Sequence, residues 1–167
     1  LDHAQTDNQE NTMAKGDFVL FAQAKLDLGK AIHNLSADAL KFGVIKSAAN
    51  GGIDPVEATP DPRWGAGGST NLLLSEVTPG GSYVTGGPAL TGVSWALTGA
   101  VAKLDSNDIN IPMDAAAPTN GRWGILYSST AAGKQALGFV DFGGDINITQ
   151  DALDYFVDAA NGWFKYQ

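Results

Sequence analysis

The chain has 167 residues, enough for one ordinary domain with a buried core. Its net charge of -8, with Asp+Glu 18 against Lys+Arg 10, opposes a phosphate-tracking surface and so argues against nucleic-acid binding. The absence of Cys removes disulfides, thiol catalysis and thiolate metal sites, and no apolar run approaches the ~18 residues of a membrane span.

Residues 1–12, LDHAQTDNQENT, are polar and unpatterned. They read as a tag or disordered arm ahead of Met13, with a single β-sandwich domain over residues 13–167. The alternative is a native arm that docks on a neighbour. No basic-then-apolar leader opens the chain. Phe18, Phe21, Ala24, Leu28 and Ile32 recur at steps of three and four, which predicts one amphipathic helix over Asp17–His33. Asp17 suits its N-cap and Asn34 its stop. Leu40, Phe42 and Val44 alternate with Lys41, Gly43 and Ile45, which predicts a strand with one buried face over Asp38–Ser47. Ala48–Ser69 is Gly/Pro-rich and long for a connection, the kind of loop that often carries function.

Beyond it, Asn71–Val77 reads as a strand or a helical turn. Short strands follow at Ala89–Leu97, Ala100–Leu104, Asp108–Met113, Arg122–Ser128, Ala136–Phe142, Asp145–Thr149, Leu153–Val157 and Trp163–Tyr166. Turn chemistry such as TPGGS, DSND, PTNG and FGGD separates them. Gly is 21 of 167 residues against a usual ~7%, which favours many short strands over long helices. The fold class predicted is mainly β: a jelly-roll-like β-sandwich with one N-terminal amphipathic helix.

Catalytic signatures are thin. Apart from His3 in the leading stretch, His33 is the only histidine, and it is expected to be a polar residue near a helix end. Gly92-Val93-Ser94-Trp95-Ala96 lacks the last Gly of a nucleophile elbow. Asp105-Ser106-Asn107-Asp108 reads as a turn rather than a Ca²⁺ loop, and Asp151, Asp154 and Asp158 form the other weak Ca²⁺ candidate. GAGGST at Gly65–Thr70 matches no phosphate cradle. No catalytic residue, cofactor or metal is assigned. Trp95 and Trp123 lie in strand patterns and are expected in the core. Trp64 stands in the long loop beside Arg63, a pairing typical of interface hot spots; the competing reading folds Trp64 back onto the sandwich. Trp163 suits either core or interface.

Several segments together resemble a group of small structural virion proteins of tailed bacteriophages and prophages, over nearly all of Met13–Gln167. The match rests on His33, Asn34, Leu35, Asp38, Leu40 and Lys41 in the first turn. It continues through Tyr83, Gly86, Gly87 and Leu90 in a Gly-Tyr-x-x-Gly-Gly-like stretch where Ser82 replaces the commoner Gly. Tyr127, Thr130, Ala131, Gly138 and Phe142-Gly143 match a central hairpin, and the final ITQDALDYFVDAANGWFKYQ is similar to a closing strand pair. The resemblance implies a virion component made in the bacterial host cytoplasm, not an enzyme and without a cofactor. Its partners would be the major capsid protein or other virion proteins, not nucleic acid or a membrane. The favoured form is a capsid decoration (cement) protein that binds and stabilises the assembled head as a homo-oligomer, with a trimer favoured. Trp64, Arg63, Phe18, Phe21 and Trp163 are the candidate interface residues. The alternatives are a tail-associated structural or receptor-contact protein and, more remotely, a carbohydrate-binding or glycoside-cleaving sandwich.

Overall fold

The computed structural model describes residues 16–166. The expected arm at residues 1–12 lies outside them. Among the described residues the architecture is mainly β, with several antiparallel sheets, one α-helix and no closed barrel, which agrees with the predicted sandwich-like class.

The chain opens differently from the helix expected over Asp17–His33. Phe18–Leu20 forms strand β1, pairing antiparallel with Gly138–Val140, and only Ala22–Gly29 forms helix α1. Phe18-Val19-Leu20-Phe21 is apolar on successive residues, so a neighbouring strand can bury both its sides where a surface helix could bury one. Gly138 completes the fit. A Cβ there would lie well inside contact distance of both the tip of the Phe18 ring and the Val19 carbonyl oxygen, so the missing side chain is what lets β1 and its ring pack this close. Phe21 sits at the helix start in extended conformation, fully buried, with its ring centroid 5.1 Å from that of Phe139. The helix stops where Ala31 turns left-handed, φ 56.

The central sheet has the order β1-β9-β8-β2, with β2 (Leu40–Ile45), β8 (Gly121–Ser128) and β9 (Ala136–Ile146). β8 and β9 form a hairpin about Thr130 and Ala131, where the resemblance implies one. The two strands expected at Ala136–Phe142 and Asp145–Thr149 are largely one. Gly143 takes φ 77 and donates its N–H to Asp141 at 2.6 Å, so FGGD bulges within β9 instead of ending it.

β2 was expected to bury one face, and it buries both. On one side Phe42 meets Tyr155, Trp163 and Phe142 at centroid distances of 5.8, 5.6 and 6.3 Å. These rings and Phe18 form an aromatic layer against two small sheets. One pairs β7 (Ile109–Ile111) with β10 (Leu153–Tyr155). The other has the order β11-β6-β5, with β5 (Ser94–Thr98), β6 (Val101–Asp105) and β11 (Phe164–Tyr166). The final strands thus pair with earlier ones and not with each other.

The other side of the central sheet is covered by α1 and by the Ala48–Ser69 connection. That connection is a strap with its own structure: a 3₁₀ turn at Ala48–Asn50, then β3 (Pro62–Arg63), which runs parallel to β4 (Thr70–Asn71). Leu72–Ser75 forms a second 3₁₀ turn, resolving the strand-or-turn alternative at Asn71–Val77.

Candidate functional site

Three of the five candidate interface residues have no surface to offer. Trp64 is 3% exposed and stacks on Tyr127, with centroids 4.7 Å apart and planes 6° apart. Its backbone N–H donates to the Lys134 carbonyl at 2.9 Å, and its ring lies where a Cβ at Gly43 would be. The hot-spot reading of Trp64 is therefore corrected to the fold-back alternative. Phe21 and Trp163 are buried too, Trp163 donating from Nε1 to Ser106 at 2.9 Å. Phe18 is half-buried against Trp163 at 5.3 Å. Arg63 is half-buried and held by Asp61, with Nε and Nη2 each donating at 3.0 Å. The two strand tryptophans expected in the core, Trp95 and Trp123, are only half-buried.

The signature residues turn out to be a structural lock. Tyr83 is buried; its hydroxyl accepts from the Val44 N–H at 2.9 Å and donates to Glu76 at 3.0 Å. Glu76 also accepts from the Gly86 N–H at 2.6 Å, and the Gly86 carbonyl accepts from the Tyr127 hydroxyl at 2.9 Å. Gly87 follows with φ 74, packed against the Phe42 carbonyl. Burial pushes the Tyr83 and Tyr127 hydroxyls far above the usual phenol range, and the Glu76 carboxylate adds to the effect in both.

What the fold does expose is β5 and the turn that joins it to β6. Thr98 pairs with Val101 across Gly99-Ala100, and Gly99 takes φ 62. Residues 96–100 are all exposed, Leu97 at 71%. Pairing sets two rows on one face of this sheet. Trp95–Leu104–Phe164 runs toward the core, and Leu97–Ala102–Tyr166 runs past it. Between this face and the turn after α1 lies a cleft of about 470 Å³, lined by Leu28, Leu35, Trp95 and Tyr166 among others. His33 stands at its wall. Its ring is buried, Nδ1 lies 3.8 Å from Asp38 Oδ2, and neither nitrogen has a hydrogen-bond partner among the described residues. Burial lowers its pKa below the ordinary 6.5, against the opposing pull of Asp27 and Asp38. The signal in the sequence for this hairpin is charge, not motif: no charged residue occurs from Val77 to Ala102.

A second cleft, of about 330 Å³, gathers Asp54, Arg122, Trp123 and Asp145. Asp54 Oδ1 accepts from Trp123 Nε1 and from the Ala48 N–H, both at 3.1 Å, and Asp145 accepts from Asn50 at 2.7 Å. Arg122 makes a two-pronged pair with Asp141 at 2.9 and 3.1 Å and lies over the Trp123 ring, 5.2 Å from its centroid. The sequence offered no sign that these carboxylates meet, because Asp54 comes from the strap and Asp145 from the β9 bulge. Three of the Ca²⁺ candidates, Asp105, Asp108 and Asp158, accept backbone hydrogen bonds. Asp105 accepts from the Ser106 N–H, Asp108 from the Val157 N–H, and Asp158 from the N–H groups of Ala160 and Asn161, which lowers its pKa. No group of three or more metal-ligating side chains occurs among the described residues.

No protein-family model matches the chain, no curated protein matches it in sequence, and no solved structure matches it.

Proposed function

We propose that this chain is a bacteriophage structural protein, most specifically a decoration protein that binds the assembled head. The observation that carries the reading is β5 and the turn after it: Ser94–Ala100 carries no charge, is exposed at every residue but Trp95, and is anchored through Leu104 of β6 and Phe164 to the core. An uncharged open strand edge with an exposed Leu97 is suited to contact, because an unpaired edge recruits a partner. The segment-by-segment resemblance to virion proteins supports the same class. A decoration protein stabilises a shell by binding only its assembled form, so its contribution scales with occupancy. On this reading the chain is made in the host cytoplasm and ends on the particle. Its partners are the major capsid protein and other copies of itself.

The test is the copy number per purified virion against the major capsid protein, by quantitative mass spectrometry. The expected ratio is of the same order as the capsid protein. A ratio tenfold or more below it moves the chain to the tail or a vertex, and absence from virions overturns the proposal.

The acidic cleft beside Trp123 favours a second reading, a carbohydrate-binding or glycoside-cleaving sandwich. Two carboxylates and an aromatic face are the ingredients of sugar recognition. It ranks lower because both carboxylates already accept hydrogen bonds from the protein and Arg122 already covers Trp123. Glycan-array binding that is lost in Trp123→Ala would promote it.

A further inference from the structure

We propose that β5 pairs with itself: two copies of this chain join antiparallel, edge to edge, about a two-fold axis at Ala96. The inference goes beyond the virion reading and stands on the strand alone.

β5 closes the β11-β6-β5 sheet, and among the described residues no backbone hydrogen bond reaches its outer side. Five residues present about 17 Å of open edge. Natural edges of this kind are guarded by Lys, Pro or a bulge, because an open ladder recruits another strand. Ser94-Trp95-Ala96-Leu97-Thr98 has none of these guards.

The order of its residues selects the occupant. Pairing centred on Ala96 sets Trp95 against Leu97 of the copy on one face, and Ser94 against Thr98 on the other. Both are favourable cross-strand pairs, an aromatic on an aliphatic and a hydroxyl on a hydroxyl. The strand is therefore its own complement. On the joined face, the half-buried row through Trp95 continues into the exposed row through Leu97 of the copy. The 71% exposed Leu97 gains a tryptophan neighbour.

Charge also permits it. A chain of net charge -8 resists self-association over most of its surface, but β5 carries no charge. The nearest like charges are the two Lys103 side chains, three strand spacings or about 14 Å apart, each paired with Asp105 at 2.8 Å. That separation exceeds a Debye length of about 8 Å. The contact is isologous, so it closes at two copies. A contact of this length belongs at the small end of specific interfaces, near 1,200 Å², and the dimer should dissociate on dilution.

The absence of Cys makes the test clean. Ser94→Cys, Ala96→Cys and Thr98→Cys are made singly in the full chain, with Leu74→Cys, at a 78% exposed site elsewhere, as the control. Opposed Cα atoms in an antiparallel pair lie about 4.5–5.5 Å apart, within the disulfide range. Ala96→Cys should give covalent dimers on mild oxidation. Ser94→Cys and Thr98→Cys should each stay at the Leu74→Cys level alone and cross-link only when mixed. Leu97→Asp should weaken the wild-type dimer at least tenfold in analytical ultracentrifugation with its melting curve kept cooperative. Cross-linking of Ala96→Cys no greater than the control, cross-linking of Ser94→Cys alone, or a wild-type mass of one or three chains at high concentration would each overturn the proposal. A three-chain mass would restore the trimer expected from the resemblance. All readouts use the isolated protein, so they fail separately from the virion copy number.

Discussion

Trp64→Ala tests how the strap is held to the central sheet. The ring is removed from a site that is 3% exposed, bounded by Tyr127 above and the Gly43 backbone below. Deleting a buried aromatic of this size costs about 3–5 kcal/mol, because the transfer energy is lost and a cavity remains. The offset stack on Tyr127 adds about 0.5–1.5 kcal/mol beyond area. Against a usual total of about 5–15 kcal/mol, the variant stays folded but is severely weakened. At about 2–4 °C per kcal/mol for a chain of this size, the melting temperature should fall by about 7–26 °C. Circular dichroism melts and urea titrations measure it, with an unchanged m-value confirming that the same fold unfolds. A second variant isolates the contact. Gly43→Ala alone should destabilise by pressing a methyl into the indole, yet cost less in the Trp64→Ala background, where the space is empty. A melting temperature within about 2 °C of wild type for Trp64→Ala, or additive effects in the pair, would refute the packing argument.

Three further outcomes follow from the buried polar and tight backbone sites. Gly87→Val should destabilise by more than about 1 kcal/mol, since φ 74 disfavours a β-branched residue and its Cβ would strike the Phe42 carbonyl; a wild-type urea midpoint would contradict this. Tyr83→Phe should cost about 1–3 kcal/mol in chemical denaturation, because the Val44 N–H is left buried without an acceptor; no loss would mean another group takes its place. His33 is depressed by burial below the ordinary 6.5, so its neutral form is the one the fold holds. Below that value the unfolded chain takes up the proton first, so this share of stability is present above pH 6.5 and is lost as pH falls through the folded value. Melting temperatures from pH 8 to 5 should therefore fall less in His33→Leu than in wild type, and parallel curves would refute the assignment.

The class of fold was legible because alternation and turn chemistry are local. Most strand positions from Ser94 onward were read within a few residues. The misreadings share a cause in partners distant in sequence. Phe18 to Leu20 has helical spacing, but Gly138, 120 positions away, gives it a better home in the sheet. FGGD has turn composition, but Asp141 and Arg122 carry β9 through it. Trp64 looked solvent-facing because its neighbours are Pro, Arg and Gly; the stack on Tyr127 has no trace in local pattern. Abundant glycine favours short strands but does not say which glycines lie within them: Gly43, Gly124 and Gly138 do, each under an aromatic ring. The hairpin could have been found from its uncharged run, a signal that needs counting over 26 residues, 77 to 102, rather than a motif.

Those three glycine hollows bear on how the chain avoids mispairing while it folds. A strand that slips by one residue turns its apolar set outward and is rejected at once. A slip by two keeps every side chain on its proper face, so hydrophobic alternation alone cannot detect it. Here it would be detected. Phe42 lies over Gly124, and a two-residue shift of β8 would bring Arg122 or Leu126 beneath the ring. Phe18 over Gly138 imposes the same condition on β9, and Trp64 over Gly43 imposes it on β2 from the other face. The glycines act as index marks, giving each of three adjacent strands one alignment that closes and leaving its even-numbered neighbours obstructed.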